Sequence, residues 1–164
     1  MVTLRCTVDL LKPLGVKAAE KVSEPTAALG DWYAKPVSTQ AGDFIVCMSE
    51  VTYLSVLVPA LLYRDLTTFF PMRLLQLLTG LGVAEGQAQQ ECVHYQEIIF
   101  GRTQSRRTLG ILNEIAFGYQ LYAESHPLAE ADHLSRAQRI IARSIYGAPD
   151  YIQPDKATVA LLGG

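Results

Sequence analysis

The chain has 164 residues, a length that one domain accommodates and that buries roughly two thirds of the surface exposed by the unfolded chain. A hydrophobic fraction of 49% with 18% charged residues excludes the intrinsically disordered class, so one globular domain is predicted over residues 1–162, followed by a disordered Gly163-Gly164 tail. The net charge of −2 supplies no general attraction for nucleic acid, which is not an expected partner.

Cysteine usage indicates a reducing compartment. Cys6, Cys47 and Cys92 are odd in number and form no Cys-x-x-Cys pair, so they are expected to be buried free thiols. The first residues lack the basic-then-apolar layout of a secretory signal. The longest apolar run, residues 54–63, contains Pro59 and is about half as long as the roughly 20 residues that a membrane helix requires. A cytoplasmic protein without a membrane span is predicted.

The first third of the chain predicts strands. Residues 2–6 alternate apolar and polar side chains as a half-buried strand does, and Thr7 then offers a cap for a short helix that ends near Gly15. Residues 16–28 are predicted to form a surface loop. Three further strands with short connections predict an antiparallel meander. They cover residues 31–38, 44–48 and 53–58.

The rest of the chain predicts helices. Pro71 suits the first turn of a helix with a leucine-rich face, and Pro154 suits the start of a last short helix. Between them lie helices predicted over residues 84–100, 107–124 and 129–145, of which the second has two apolar stripes and is expected to be central. The predicted fold class is α+β, with a small, mostly antiparallel sheet from the N-terminal third packed against about four helices.

The stretch 29–34 carries the only tryptophan and is the first candidate for a site. One interpretation makes Trp32 the floor of a pocket, with Asp31 accepting a hydrogen bond or a proton. The other makes Gly30 and Asp31 the turn into a strand along which Trp32 and Tyr33 point to opposite faces, one of them into the core.

The stretch 103–114 is the second candidate. A helix N-terminus beside Arg106 and Arg107 combines free backbone donors with cations that suit an anion. Alternatively, Ser105 caps the helix and the arginines lie in solvent. Asn113 and Glu114 follow on the same helix, and a buried Glu114 would need a neutralising partner.

Other chemistry has little support in the sequence. His94, His126 and His133 have no metal-ligand spacing, so no metal site and no cofactor are predicted, and no phosphate-binding loop occurs. The arginine stripe at positions 136, 139 and 143 would suit a phosphate backbone, but a solvated helix face is the favoured explanation.

The motifs resemble those of a family of small bacterial proteins that is defined as a domain of unknown function. That family has Cys-Thr-x-x-Leu-Leu, then Leu-Gly-Asp-Trp-Tyr-Ala, an Asn-Glu-x-Thr turn between strands, and Asn-Arg-Ser-x-x-Gly-x-Met-Asn-Glu opening a helix. Residues 6–11 and 29–34 fit well, and residues 49–52 and 105–114 fit in part. The resemblance implies a bacterial cytoplasmic protein and supplies no activity. Ser49 and Ser105 replace asparagines of that pattern, so a ligand contact or a turn made by those asparagines would be lost or changed here.

The leading functional hypothesis is a non-catalytic binding or regulatory module, and a homo-oligomer or a complex with another protein is compatible with it. The site is predicted where the sheet meets the start of the central helix, and comprises Asp31, Trp32, Arg106, Asn113 and Glu114. The alternative is a small hydrolase or nuclease-like enzyme in which Asp31 or Glu114 is the general base and Arg106 stabilises negative charge in the transition state.

Overall fold

The computed structural model describes residues 1–60 and 63–163, and within them the chain forms a five-stranded sheet and six α-helices. The α+β class is therefore confirmed. The strands are β1 (Val2–Cys6), β2 (Trp32–Thr39), β3 (Gly42–Ser49), β4 (Ser55–Pro59) and β5 (Ile98–Arg102). The helices are α1 (Val8–Leu14), α2 (Leu66–Gly80), α3 (Glu85–Val93), α4 (Arg106–Ala123), α5 (Ala131–Arg143) and α6 (Pro154–Leu162).

The sheet is mixed. Its strand order is β4-β3-β2-β1-β5, and β1 pairs in parallel with both β2 and β5. The antiparallel meander of β2, β3 and β4 is as predicted. The expectation of a mostly antiparallel sheet built from the N-terminal third alone was wrong, because residues 98–102 return to the sheet beside β1 and parallel to it.

The single helix predicted over residues 84–100 was also wrong. In its place α3 ends at Val93, a 3₁₀ turn covers His94–Gln96, and β5 begins at Ile98. The helical spacing of apolar residues belongs to a real helix up to Val93 and continues beyond it only by coincidence. Residues 98–100 are two isoleucines and a phenylalanine, side chains that favour a strand, and the backbone becomes extended at Glu97.

Helix α2 starts earlier than the sequence predicted. It begins at Leu66, five residues before Pro71, so the proline lies inside the helix rather than in its first turn. Proline removes one intrahelical hydrogen bond. The helix continues because Phe70 and Leu74, on either side of the proline, are fully buried and anchor both halves in the core.

Two hydrophobic layers cover the two faces of the sheet. Alternation along β2 sends Trp32 into one layer and Tyr33 into the other, as the second interpretation of this stretch expects, but both side chains are buried rather than one. Helices α1, α2 and α3 pack on the Trp32 face, where Trp32, Phe70 and Tyr95 meet edge to face with ring centroids 5.0–6.1 Å apart. Helices α4 and α5 pack on the Tyr33 face.

Side chains from two helices cover the outer edge of the sheet at β4. Gln138 of α5 accepts a hydrogen bond through Oε1 from the backbone N–H of Leu57, at 2.8 Å. Thr158 of α6 donates to the hydroxyl of Thr52, in the turn before β4, at 2.9 Å. An uncovered edge would offer free backbone groups to another strand, so these contacts protect β4 from such pairing.

The remaining predicted elements lie close to their expected positions. Residues 16–28 contain no helix or strand, and α4, α5 and α6 begin and end within a few residues of the predicted bounds. Gly163, expected in a disordered tail, donates to the carbonyl of Val159 at 2.8 Å and accepts from the N–H of Ala84 at 3.3 Å. Gly164 lies outside the described residues.

None of the helices in the described part of the chain has the length and apolar character needed to cross a membrane. Positions 61 and 62 of the apolar run are not within that part.

A buried carboxylate ties α3 to the segment that precedes β2. Glu91, only 5% exposed, accepts hydrogen bonds from the backbone N–H groups of Ala28 and Leu29, both at 3.0 Å, and from the Tyr95 hydroxyl at 3.2 Å. The Tyr95 oxygen accepts the indole N–H of Trp32 at 2.7 Å. Burial first, and then the Glu91 charge, raise the pKa of Tyr95 well above its usual range, so this phenol stays protonated and donates to Glu91.

Replacing Glu91 tests this anchor. Glu91→Ala removes the acceptor of the buried Leu29 N–H, of the part-buried Ala28 N–H and of the buried Tyr95 hydroxyl, so we expect it to lower the free energy of unfolding by about 2–4 kcal/mol. Gln90→Ala on the same helix is the control, because Gln90 is exposed, and its effect should stay within about 0.5 kcal/mol. Urea denaturation followed by circular dichroism measures both. Equal losses in the two variants would show that the Glu91 bonds contribute little.

Candidate functional site

A cleft of about 980 Å³ opens on the Tyr33 face beside α4. Helix α4 packs on β2, and residues 17–25 of the loop after α1 form the opposite wall. This loop also covers the outer edge of β5, where the N–H of Ala19 donates to the carbonyl of Phe100 at 2.9 Å. We call this space the β1 cleft. Its lining includes Arg5, Asp31, Tyr33, Glu50, Arg102 and Ser105.

A glycine on β5 lets the strands pack closely at the cleft. A Cβ placed on Gly101 would lie 2.9 Å from Cγ2 of Thr3 and 3.8 Å from Nη1 of Arg5, both on the neighbouring strand β1. The first distance is shorter than a normal carbon contact. A side chain at this position would therefore displace Thr3 and crowd Arg5.

A continuous chain of polar contacts crosses four strands at the base of the cleft. Glu50 Oε1 accepts from the N–H of Asp31 at 3.0 Å, and Asp31 Oδ1 accepts from the N–H of Thr3 at 2.9 Å. The guanidinium of Arg5 donates to Asp31 Oδ2 at 3.5 Å and to the carbonyl of Arg102 at 3.2 Å. Arg5 is 8% exposed and Asp31 3% exposed, so each charge is held against its partner with little water around it.

Tyr33 fixes the start of α4 over the same cleft. Its hydroxyl oxygen accepts hydrogen bonds from the N–H of Ser105 at 3.0 Å and from the N–H of Gln104 at 3.4 Å. The Ser105 hydroxyl in turn caps the helix by accepting from the N–H of Thr108 at 3.1 Å. The edge around Asp31 and the start of α4 therefore lie on one cavity.

The charges around the cleft are balanced. Its basic side chains are Arg5, Lys17, Lys21 and Arg102, and its acidic side chains are Glu20, Glu24, Asp31 and Glu50. Four cations against four carboxylates give no net field at neutral pH, so neither a polyanion nor a polycation is favoured. Such a lining offers donors and acceptors side by side to a small polar molecule.

Trp32 does not line this cleft. Its side chain is fully buried on the other face of the sheet, and its indole N–H is bound to Tyr95. This corresponds to the core interpretation of the tryptophan rather than to the pocket floor.

The three predicted site residues on α4 also lie outside the cleft lining. Arg106, Asn113 and Glu114 are exposed, and Asn113 accepts through Oδ1 from the Lys35 ammonium at 2.9 Å. Glu114 therefore needs no buried counter-charge. Among the described residues, no hydrogen bond joins Asp31, Arg106 and Glu114. Ligand binding by the α4 side chains stays a prediction.

Ser49 and Ser105, the two positions at which the resemblance implies asparagine, both hold local structure. Ser49 Oγ accepts from the N–H groups of Val51 at 3.1 Å and Thr52 at 3.2 Å and donates to the carbonyl of Leu29 at 2.7 Å. It thereby locks the turn between β3 and β4 and ties it to the segment before β2. Ser105 caps α4. Serine performs here the turn and cap roles for which asparagine is also suited.

The site predicted from the sequence does not include Arg5, Glu50 or Arg102. A signal was present for Arg5, because in β1 Thr3 and Arg5 alternate with three apolar residues and so share one face. A charged side chain on a strand between two others needs a partner. Arg102 gave no signal, because β5 itself was not predicted.

The thiols are poor nucleophiles. Burial raises the pKa of Cys6 to about 12 and that of Cys47 well above its usual range. Burial, and then the charge of Glu91, raise the pKa of Cys92 to about 11. The thiolate is the reactive form, so less of it is present at neutral pH than in an unperturbed cysteine.

Thiol titration checks these environments. At pH 8 we expect Cys92, which is partly exposed, to react slowly with Ellman's reagent and Cys6 and Cys47 not to react until the protein unfolds. A pKa near 11 for Cys92 also predicts that its rate rises about tenfold per pH unit between pH 7 and 9. Cys92→Ser should abolish the slow phase. Rapid reaction of any thiol in the folded protein would contradict the burial described above.

Comparison with known proteins confirms the resemblance to a domain of unknown function. A protein-family model described as a domain of unknown function, DUF6933, matches residues 3–157. No curated protein and no solved structure matches the chain. The matched range includes the base of the β1 cleft and both walls. The chain therefore belongs to the DUF6933 family.

Proposed function

We propose that the protein is a non-catalytic binding module that holds a small polar ligand in the β1 cleft. The observation that carries this proposal is the buried Arg5–Asp31 pair at the base of an open cavity. A buried ion pair adds little net stability to a fold, because the cost of removing both charges from water offsets their attraction. Apolar side chains of similar volume commonly stabilise a fold as well. Its position on a cleft is therefore better explained by a ligand that contacts the Arg5 guanidinium, which Asp31 holds in place.

Arg5 and Glu50 have hydrogen-bonding groups that are not used within the protein, and these groups indicate the ligand's chemistry. A guanidinium has five N–H donors, whereas Arg5 makes hydrogen bonds to only two acceptors among the described residues. Glu50 Oε1 accepts from Asp31, and Oε2 has no donor within the described residues. The balanced charges suit a molecule that is neutral overall and carries both a donor and an acceptor, such as a zwitterion of amino-acid size.

The geometry supports binding more directly than hydrolysis. A general base must reach the proton that it abstracts, but both oxygens of Asp31 already accept hydrogen bonds from β1. Glu114 and Arg106, the other members of the hydrolase or nuclease-like hypothesis, do not line the cleft. No observation favours that second candidate.

Native mass spectrometry of the protein purified under non-denaturing conditions tests the proposal. We expect wild-type protein to carry a small-molecule adduct or, if it is lost during purification, to show saturable shifts of cleft amide signals in an NMR titration with free amino acids. Arg102→Gln and Glu50→Gln should each weaken binding about tenfold, which corresponds to about 1.4 kcal/mol.

The matched controls are Arg106→Gln and Glu114→Gln, the same changes on exposed positions of α4 outside the cleft. They should bind like the wild type. Equal weakening by the α4 variants would contradict the β1 cleft as the binding site. Absence of both an adduct and any saturable shift up to about 10 mM amino acid would overturn the proposal.

A further inference from the structure

A second cavity lies at the other end of the β2–β3 hairpin. Its volume is about 430 Å³, and it is bounded by α2, by α5 and by the turn between β2 and β3. The β1 cleft adjoins the start of β2 and the end of β3, so the two spaces are separated by the length of these strands. We call the second space the α2–α5 cavity.

The walls of the α2–α5 cavity combine apolar and polar side chains. Phe44 of β3, Leu77 of α2 and Leu134 of α5 contribute buried side chains, and Pro59 and Leu128 complete this surface. A volume of this size lies within the range of pockets that hold small organic molecules. The cavity is therefore suited to a ligand with an apolar body.

Two arginines reach this cavity from different helices. Arg73 of α2 is half-buried and Arg139 of α5 is exposed, and neither makes a hydrogen bond or an ion pair with another described residue. A Cβ built on Gly80, at the end of α2, would lie 3.8 Å from Nη2 of Arg139, so this guanidinium rests against the opposite helix. Against these two cations the lining has one carboxylate, the exposed Asp43.

Burial of an unpaired cation has a cost. Desolvation lowers the pKa of Arg73, which shows that its charged form is less well solvated here than in water. An anion beside the guanidinium would offset that loss.

A buried amide adds a further free donor. Gln138 is 7% exposed and lines the α2–α5 cavity. Its Oε1 is held by the N–H of Leu57, whereas its Nε2 has no acceptor among the described residues. An amide group fixed through its oxygen has its two N–H donors in a defined direction, so they can bind an acceptor that enters the cavity. The polar groups of this cavity are thus mostly donors.

From these features we propose that the α2–α5 cavity binds a small organic anion. The apolar body of the ligand lies against Phe44, Leu77 and Leu134, and its acidic group is bound by Arg73, Arg139 and the amide of Gln138. This site is independent of the β1 cleft in position, in charge and in ligand class.

Isothermal titration calorimetry with sodium benzoate and sodium octanoate tests the site, with benzyl alcohol as the neutral comparison. We expect saturable one-to-one binding of at least one of the two anions and at least about tenfold weaker binding of the alcohol. Arg73→Gln and Arg139→Gln should each reduce the anion's affinity about tenfold. Their thermal midpoints should stay near that of the wild type, because neither side chain has a partner within the described residues.

Arg136→Gln is the matched control, because Arg136 is an exposed arginine of α5 that does not line the cavity. It should bind both anions as the wild type does. The proposal is overturned if neither anion binds saturably below about 10 mM, if the alcohol binds as well as the anions, or if Arg136→Gln weakens binding as much as the other two variants. None of these readouts depends on the β1 cleft, so the experiment tests the α2–α5 cavity independently of the proposed function.

Discussion

The carboxylate of Asp31 accepts from two groups on β1, the N–H of Thr3 and the guanidinium of Arg5, while its own N–H is held by Glu50 after β3. Arg5 extends these contacts to β5 through the carbonyl of Arg102. Among the described residues, β5 pairs with no strand other than β1. Helix α4 packs on β2. Leaving one of these buried charges without its partner costs about 3–5 kcal/mol. The parallel pairing of β1 with β2 and β5 is therefore favoured in the arrangement that brings Arg5 to Asp31. The same arrangement places both charges at the base of the β1 cleft.

Local periodicity predicted the parts of the fold that depend on local sequence. The alternation of Trp32 and Tyr33 between the two faces followed from the strand period, and the antiparallel meander followed from its short connections. The β5 pairing could not be predicted in this way. It depends on contact with β1, almost a hundred residues away, and the helical spacing of α3 continues by coincidence into the strand. Pro71 misled for a related reason, because burial of its neighbours outweighs the hydrogen bond that proline removes.

Of the five residues predicted for the site, one, Asp31, lines the β1 cleft. Asp31 and the start of α4 do lie on one cavity, joined through the Tyr33 hydroxyl. The other predicted residues lie in stretches that are rich in polar, charged and aromatic side chains. Such a stretch does not indicate which way each side chain points. Trp32 fills the core, and Asn113 is bound to Lys35 at the surface. Arg5 and Glu50 are brought to Asp31 by strand register, which becomes known only once β1, β2 and β3 are paired.

A double-mutant cycle between Arg5 and Asp31 tests the central claim most directly. The variants are Arg5→Met, which keeps the length of the side chain, Asp31→Asn, which keeps its shape, and the two together, each measured as a free energy of unfolding in urea. If the pair holds β1 in the sheet, each single change lowers the free energy of unfolding substantially. The double variant is then little less stable than the less stable single variant, and the coupling energy between the two sites is about 2 kcal/mol or more. Additive effects within about 0.5 kcal/mol would contradict the account, because the two charges would then act independently.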